Sequence, residues 1–503
     1  MRRIIAACIA VLSLVTRTTA NNEVTEPQLR EMRGIWVASV ANIDWPSEPG
    51  LSDETLMAEA RTIVNKAEWM GMNAIFLQVR PASDAIYPST EPLSMYLVGD
   101  DFERKLSFDA LKFWIDIAHE KGIELHAWVN PFRVSQSKDF TCGEGHLLQT
   151  HPEWLIKYGE KTFLNPGQPE AQMYVRDIVM DIVNRYDVDG IHFDDYFYPY
   201  PVKGEVFADD ESFRNYNPKG LSLDNWRRNN VTQVIRSVSD SIRSVKPWVQ
   251  FGISPFGVWR NKKDDPRGSK TQAGCTNYDV LYADVLRWID EKIVDYVIPQ
   301  IYWESGNKYA DFDELEQWWS KLSTSETRVF VGHAVYRIND GGKKNPGWNS
   351  KDEMPNQVRK VRNNPRSDGS VFFSYKQFKR ADIFNFDSFL ADSFYSLKTI
   401  QPAVNKGSAG EIEIQHVERN GGFLNWETEG DTAAIRFYVV YRTLRSEADK
   451  IGSNESIYCI TDKNRIQLNT PSIRGRQRYV YRIAAVDKFR VFHPLSRRIT
   501  IKE

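Results

Sequence analysis

The chain has 503 residues, 13% of them aromatic, with 65 Lys and Arg against 67 Asp and Glu and a formal net charge of -2. So even a balance argues against nucleic acid as the main partner, because phosphate binding needs a clustered cationic surface. The length allows two or three domains with ample core. The four cysteines show no CxxC and no metal-type Cys/His spacing, so neither a metal nor a cofactor is expected.

Arg2 and Arg3 precede an apolar run over residues 4–15, and Thr18, Thr19 and Ala20 then offer small residues for cleavage. This reads as a secretory signal peptide over residues 1–20, since the run is too short to cross a bilayer. Cys8 comes too early for a lipoprotein box, with almost no apolar region before it. Cleavage would remove three arginines and no acids, moving the formal charge from -2 to -5. The mature protein is expected to be periplasmic or extracellular, with no transmembrane segment. It would keep Cys142, Cys275 and Cys459. Cys142 and Cys275 lie in long connections where an oxidising compartment permits a bridge; free thiols are the favoured alternative.

Eight strand-like runs follow, each succeeded by a polar or helix-patterned segment. They are GIWVASV from Gly34, AIFLQVRP from Ala74, ELHAWVNPFR from Glu124, GIHFDDYF from Gly190, VQFGISPFGVW from Val249, DYVIPQIYW from Asp295, RVFVGHAVYR from Arg328 and GSVFFSY from Gly369. Their nearly continuous apolar character predicts parallel strands buried on both faces. Helices are predicted over 51–70, 108–121, 170–186 and 226–245. Together these predict an α/β fold, a (β/α)8 TIM barrel over residues 30–398. A doubly wound sheet is the alternative, but no Gly-rich phosphate loop follows any strand. Residues 399–409 read as a linker. Seven short alternating runs over 410–503 predict a small all-β sandwich, in which Trp426 and YVYRIAAVDK resemble a fibronectin type III domain.

In such a barrel the reactive groups sit at the carboxyl ends of the strands. The fourth run ends in DVDGIHFDDYFYPYP, residues 187–201, where two carboxylates meet a cluster of aromatic rings. Carboxyl groups handle the proton and the cationic transition state of glycoside cleavage, and rings stack on sugar faces. Alternation puts His192 and Asp194 on one face of the strand. Asp194 is therefore the primary carboxylate, with Asp195 as its orienter or the second acid; Asp195 reaches the mouth only if the strand has ended. Glu304 and Asp84 are the other candidates for the second carboxyl, and sequence does not choose among them. Trp36, Trp128, Tyr196, Tyr198, Trp259, Tyr302 and Trp303 are candidates to line a groove, with His192 to hold a carboxylate or a sugar hydroxyl.

Several ordered motifs carry a family resemblance: MRGIWVASVANIDWPS from Met32, FLQVRPASDAIYPS from Phe76, LHAWVNPFR from Leu125, DGIHFDDYFYP from Asp189, GISPFGVWRN from Gly252 and DYVIPQIYW from Asp295. Over about residues 30–395 the chain resembles glycoside-hydrolase-like family 10, formerly domain of unknown function 187. The resemblance implies an exported bacterial TIM-barrel hydrolase of envelope glycans, particularly peptidoglycan strands. It gives Asp194 and Asp195 the catalytic role and makes Arg80, Asn130, Arg260 and Tyr302 site-lining residues; Glu304 stands outside the shared pattern. A binding protein that uses the groove without turnover, and a hydrolase of dietary or host polysaccharide, are the alternative functions.

Overall fold

A computed structural model of the chain describes residues 30–404, 406–468 and 477–503. The signal peptide expected over 1–20 lies outside the described residues. Eight parallel runs build the central sheet: β1 Met32–Val37, β2 Ala74–Arg80, β3 Glu124–Val129, β4 Gly190–Phe193, β5 Gln250–Ile253, β6 Tyr296–Val297, β7 in two pieces, Arg328–Val329 and Val331–Ala334, and β8 Gly369–Phe373. The first piece of β7 pairs with β6 and the second with β8, so the sheet nearly closes on itself. Phe330, between the pieces, still donates its backbone N–H to Val297 O at 3.0 Å.

Every residue of β1 to β5 is buried, as expected of strands covered on both faces. Ile35, Leu77, Leu125 and Ile191 face the helices, while Trp36, Phe76, Trp128 and Tyr296 fill the barrel interior. Two glycines make that interior possible. A Cβ on Gly190 would stand 2.3 Å from His126 Nδ1, and one on Gly252 would stand 2.1 Å from the Tyr296 ring. The flanking helices Asp53–Trp69, Ala110–His119, Pro169–Arg185 and Leu223–Val245 fall within three residues of their predicted bounds. Ser52 Oγ and Asp109 Oδ1 cap the first two by accepting backbone N–H groups of Thr55 at 3.3 Å and Lys112 at 3.1 Å. One feature was not predicted: Arg133–Ser135, Leu155–Tyr158 and Lys161–Leu164 form a small antiparallel sheet beside the barrel mouth.

All seven C-terminal runs form strands, in two small antiparallel sheets of three and four strands. Their shared core includes Ile414, Trp426, Tyr438, Val440, Ile483 and Ile501. These sheets dock on the amino ends of the barrel strands, opposite the carboxyl ends. Arg436 Nε meets Asp189 Oδ1 at 2.7 Å and Arg490 Nε donates to Glu124 Oε1 at 2.6 Å. Lys406 Nζ meets Asp295 Oδ2 at 2.6 Å. Cys142, Cys275 and Cys459 are free thiols. No helix of the described residues is long and apolar enough to cross a membrane.

Candidate active site

Beyond Phe193 the chain leaves the sheet, so Asp194 and Asp195 both escape strand alternation and both reach one cavity of about 340 Å³ at the barrel's carboxyl end. Tyr302, Tyr336 and Phe373 form one aromatic group on its wall, with ring centroids 5.8 to 6.3 Å apart. Trp128, Tyr196 and Tyr200 line it too, the two tyrosine rings 5.6 Å apart and edge-on. Trp36, Arg133, Gln136, Ser254 and Gln300 contribute the remaining polar or large side chains.

Asp194 is only 3% exposed. Its Oδ2 accepts from Trp128 Nε1 at 3.3 Å and from Asn130 Nδ2, and its Oδ1 accepts from Tyr196 N at 3.3 Å. Gln78 fixes Asn130 by donating to its Oδ1, while Gln78 Oε1 accepts the N–H groups of Ser39 at 3.0 Å and Val40 at 2.9 Å. Burial dominates the electrostatics of Asp194. With help from the neighbouring Asp195, and against Arg133 and the hydrogen bonds, it pushes this carboxyl up to about 7. Asp195 is also raised by burial, opposed by hydrogen bonds from Tyr200 and Gln300 and by Arg133. Burial raises both carboxyls, and repulsion from Asp195 adds to the rise at Asp194, so the pair keeps a proton to higher pH than a free carboxyl does.

His192 lies beneath this pair and does not bond to it. Burial, with His126 nearby, holds its pKa well below the usual value, so the ring is neutral. Its Nε2 faces Trp36 Nε1 at 3.2 Å and Ser254 Oγ at 3.0 Å. An indole N–H can only donate, so Nε2 is the acceptor and Nδ1 carries the proton toward Tyr296 Oη, 3.3 Å away. Tyr296 then donates to His126 Nδ1 at 3.0 Å, and His126 Nε2 donates to Glu124 Oε2 at 3.3 Å. One set of tautomers satisfies a buried chain from two cavity-lining side chains down to the barrel's amino end.

Of the residues expected at the site, Asp194, Asp195, Trp36, Trp128, Tyr196 and Tyr302 line the cavity. Asn130 and His192 stand directly behind lining residues. The structure does not bring the others there. A register shift between Gln78 and Arg80 turns the Arg80 side chain outward, to Tyr87, Ser89, Glu91 and Tyr174. Asp84 lies in the loop after that shift, its Oδ1 accepting Ala82 N at 3.0 Å. Trp259 is fully buried against Trp318 and Tyr278, because β5 ends at Ile253 and the chain has entered the helical layer by residue 259. Arg260 pairs with Asp279 at 2.8 Å and Asp265 at 3.5 Å. Trp303 packs edge-on against Phe256, and Glu304 Oε2 accepts Trp348 N at 3.3 Å in a neighbouring loop. Tyr198 is buried against Phe207 and Tyr282. Among the described residues, the cavity's only carboxyl groups are Asp194 and Asp195. Tyr200, Gln300, Tyr336, Gln136 and Phe373 were not among the expected site residues. Tyr200 sits in the aromatic run after the aspartates and Gln300 and Tyr336 near strand ends, but Gln136 and Phe373 gave no signal.

The model of the family described as Glycosyl hydrolase-like 10 matches residues 31–350. The chain belongs to this family. It is 35% identical over 481 residues to glycosyl hydrolase YngK of Bacillus subtilis, covering 94% of this chain and 93% of that protein. It is 37% identical over 371 residues to glycosyl hydrolase DigH of Escherichia coli, covering 69% and 84%. Among solved structures, the glycoside hydrolase domain of PgaB (BpsB) from Bordetella bronchiseptica aligns with a TM-score of 0.45 and 13% identity, covering 72% of this chain and 99% of that domain. Family and relatives together support glycoside hydrolysis by a member of this glycosyl hydrolase-like family.

Proposed function

We propose that this family member is an exported glycoside hydrolase that cuts an amino-sugar polymer of the bacterial envelope, with peptidoglycan glycan strands as the first candidate. The observation that carries the reading is the raised Asp194 carboxyl beside Asp195, in a cavity with aromatic walls. A carboxyl raised to about 7 keeps its proton near neutral pH, so Asp194 is the group that protonates the departing glycosidic oxygen. Asp195, supported by the Tyr200 hydroxyl, supplies negative charge to the sugar as it becomes cationic. Trp128, Tyr196 and Tyr302 offer ring faces or edges to the sugars.

Export rests on the charged and apolar pattern of residues 1–20. The C-terminal sheets, over about 410–503 after a linker at 399–409, form a fibronectin type III-like module that braces the barrel's amino end. A carbohydrate-binding groove without turnover is the rival reading, favoured by the two carboxyls being chain neighbours, with no acid from a second element among the described cavity residues. The deciding experiment incubates the mature protein with purified glycan strands, with and without stem peptides, and with a plant or host polysaccharide. New reducing ends from the amino-sugar strands are the expected result. Saturable binding to every strand with no new ends would replace the hydrolase by the binder, and ends released from the other polysaccharide alone would move the substrate outside the envelope.

A further inference from the structure

Arg133 lines the cavity with no carboxylate in direct ion-pair contact among the described residues. It begins the side strand Arg133–Ser135, paired with Lys161–Leu164, and is 2% exposed. Its Nε is spent on Pro81 O at 2.9 Å, and its Nη2 is buried with no hydrogen-bond partner among the described residues. Its charge lowers both Asp194 and Asp195, yet no hydrogen bond joins it to either among the described residues. Leaving a buried cationic donor unmatched is costly, so the position is one that an incoming acceptor satisfies.

Two neighbours sharpen the chemistry. The Arg133 guanidinium lies 5.2 Å from the centre of the Tyr196 ring, and Lys161 Nζ lies 6.0 Å from the same ring. Burial and the nearby Arg133 hold the Lys161 ammonium below its usual value, and among the described residues no carboxylate pairs with it. Gln136 lines the same cavity with its Oε1 buried and without a partner, an acceptor for a hydroxyl or an amide N–H. Lys161 is not itself among the cavity-lining residues, but its charge adds to that of Arg133 in favouring a nearby anion against the repulsion of Asp195. A neutral sugar would leave Arg133 unmatched.

We propose that Arg133, with Lys161 and Gln136, forms a subsite for a carboxylate carried by the glycan beside the bond that is cut. This rests on the hydrolase reading of the cavity. The ligand class is an acidic sugar, and a hexuronic acid or an amino sugar bearing a lactyl ether would present the same group. The guanidinium fork suits a carboxylate better than a hydroxyl does.

The test uses the full mature chain and oligosaccharides in matched pairs, one with the free carboxylate and one with that carboxyl converted to a methylamide. One pair is built on lactyl-ether amino-sugar strands and one on uronate oligomers. Release of reducing ends gives kcat and KM, and quenching of tryptophan fluorescence gives binding independently of turnover. The wild type should prefer the free acid of one scaffold by about tenfold or more in kcat/KM, as a charge-assisted contact provides. Arg133→Met should change turnover of both substrates through the aspartates but bring the quenching affinities for acid and amide within about threefold of one another, Arg133→Lys should restore part of the preference, and Lys161→Met should reduce it. An acid preference that survives Arg133→Met undiminished would overturn the subsite and leave Arg133 as a charge partner of the aspartates alone. A wild type indifferent to acid and amide on both scaffolds would overturn it whether or not Arg133→Met folds. Acid-selective quenching without turnover would sink the hydrolase reading and keep the subsite; turnover without selectivity would do the reverse.

Discussion

Replacing Arg490 by Met removes the cation that the C-terminal strands place under the barrel. Arg490 is 5% exposed and its partner Glu124, the first residue of β3, is 2% exposed. Burial alone would raise the Glu124 carboxyl. The Arg490 charge and the hydrogen bonds from His126 and Arg490 more than offset this and hold it below the usual range. Without Arg490 the buried carboxylate keeps one hydrogen bond among the described residues, from His126, and the nearby Arg436 charge is already shared with Asp187 and Asp189, a defect that costs about 3–5 kcal/mol. Sign follows from the direction of the shift. A carboxyl lowered in the folded state contributes stability above its unfolded value and loses it as pH falls through its folded value. The gap between wild type and Arg490→Met should therefore be widest at neutral pH and shrink below about pH 4. Urea unfolding of the full chain, followed by tryptophan fluorescence at both pH values, measures the gap. Adding Glu124→Gln to Arg490→Met should recover most of the loss, because no charge is then left unmatched. A loss below about 1 kcal/mol at pH 7, or an equal loss at both pH values, would refute the reasoning.

Three further outcomes are expected. Turnover should fall as pH rises through about 7, where Asp194 loses the proton it must donate; a kcat/KM profile flat on the alkaline side would contradict that role. Tyr200→Phe removes the hydroxyl that supports ionised Asp195, so Asp195 moves further up and the acidic limb of the same profile should shift to higher pH, with a loss of about tenfold on that limb. An unmoved limb would exclude Tyr200 from the proton chemistry. Arg80→Met should destabilise the fold by about 3–5 kcal/mol, through the orphaned and largely buried Glu91, while the folded variant keeps kcat/KM within about threefold; a selective loss of turnover without a change in unfolding would place Arg80 back at the site.

The barrel was legible in the sequence because its strands are buried on both faces, and eight continuous apolar runs separated by helix-patterned segments fit few other folds. The C-terminal strands were legible as short runs of mixed apolar and polar residues, although two of them, Ile435–Leu444 and Arg478–Asp487, are buried along most of their length. Cavity-lining residues were readable where they lie on a strand or immediately after it, as Trp36, Trp128, Asp194 and Asp195 do. Expected site residues were misplaced where the backbone departs from a regular strand. A single register shift reverses Arg80, and it leaves no mark in composition. β6 spans only Tyr296–Val297, so Trp303 and Glu304 are already in a loop that packs elsewhere, although their motif reads as a strand end. Gln136 reaches the cavity through a side sheet whose three strands are spread over residues 133–164, too short and scattered for periodicity to reveal. The docking of the C-terminal sheets was not visible either. Nothing in the sequence links Glu124, Asp189 and Asp295 to distant cations, and only the fold shows that Arg490, Arg436 and Lys406 pair with them.

The most direct test of the central claim compares wild type with Asp194→Asn on purified amino-sugar glycan strands, counting new reducing ends. The substitution is nearly isosteric and removes the proton-donating carboxyl while sparing the cavity walls. Wild type should generate ends, and Asp194→Asn should lower kcat by about 10²-fold or more with KM within a few-fold. A variant that keeps its rate within a few-fold of wild type, or a wild type that binds the strands and releases no ends, would contradict the account.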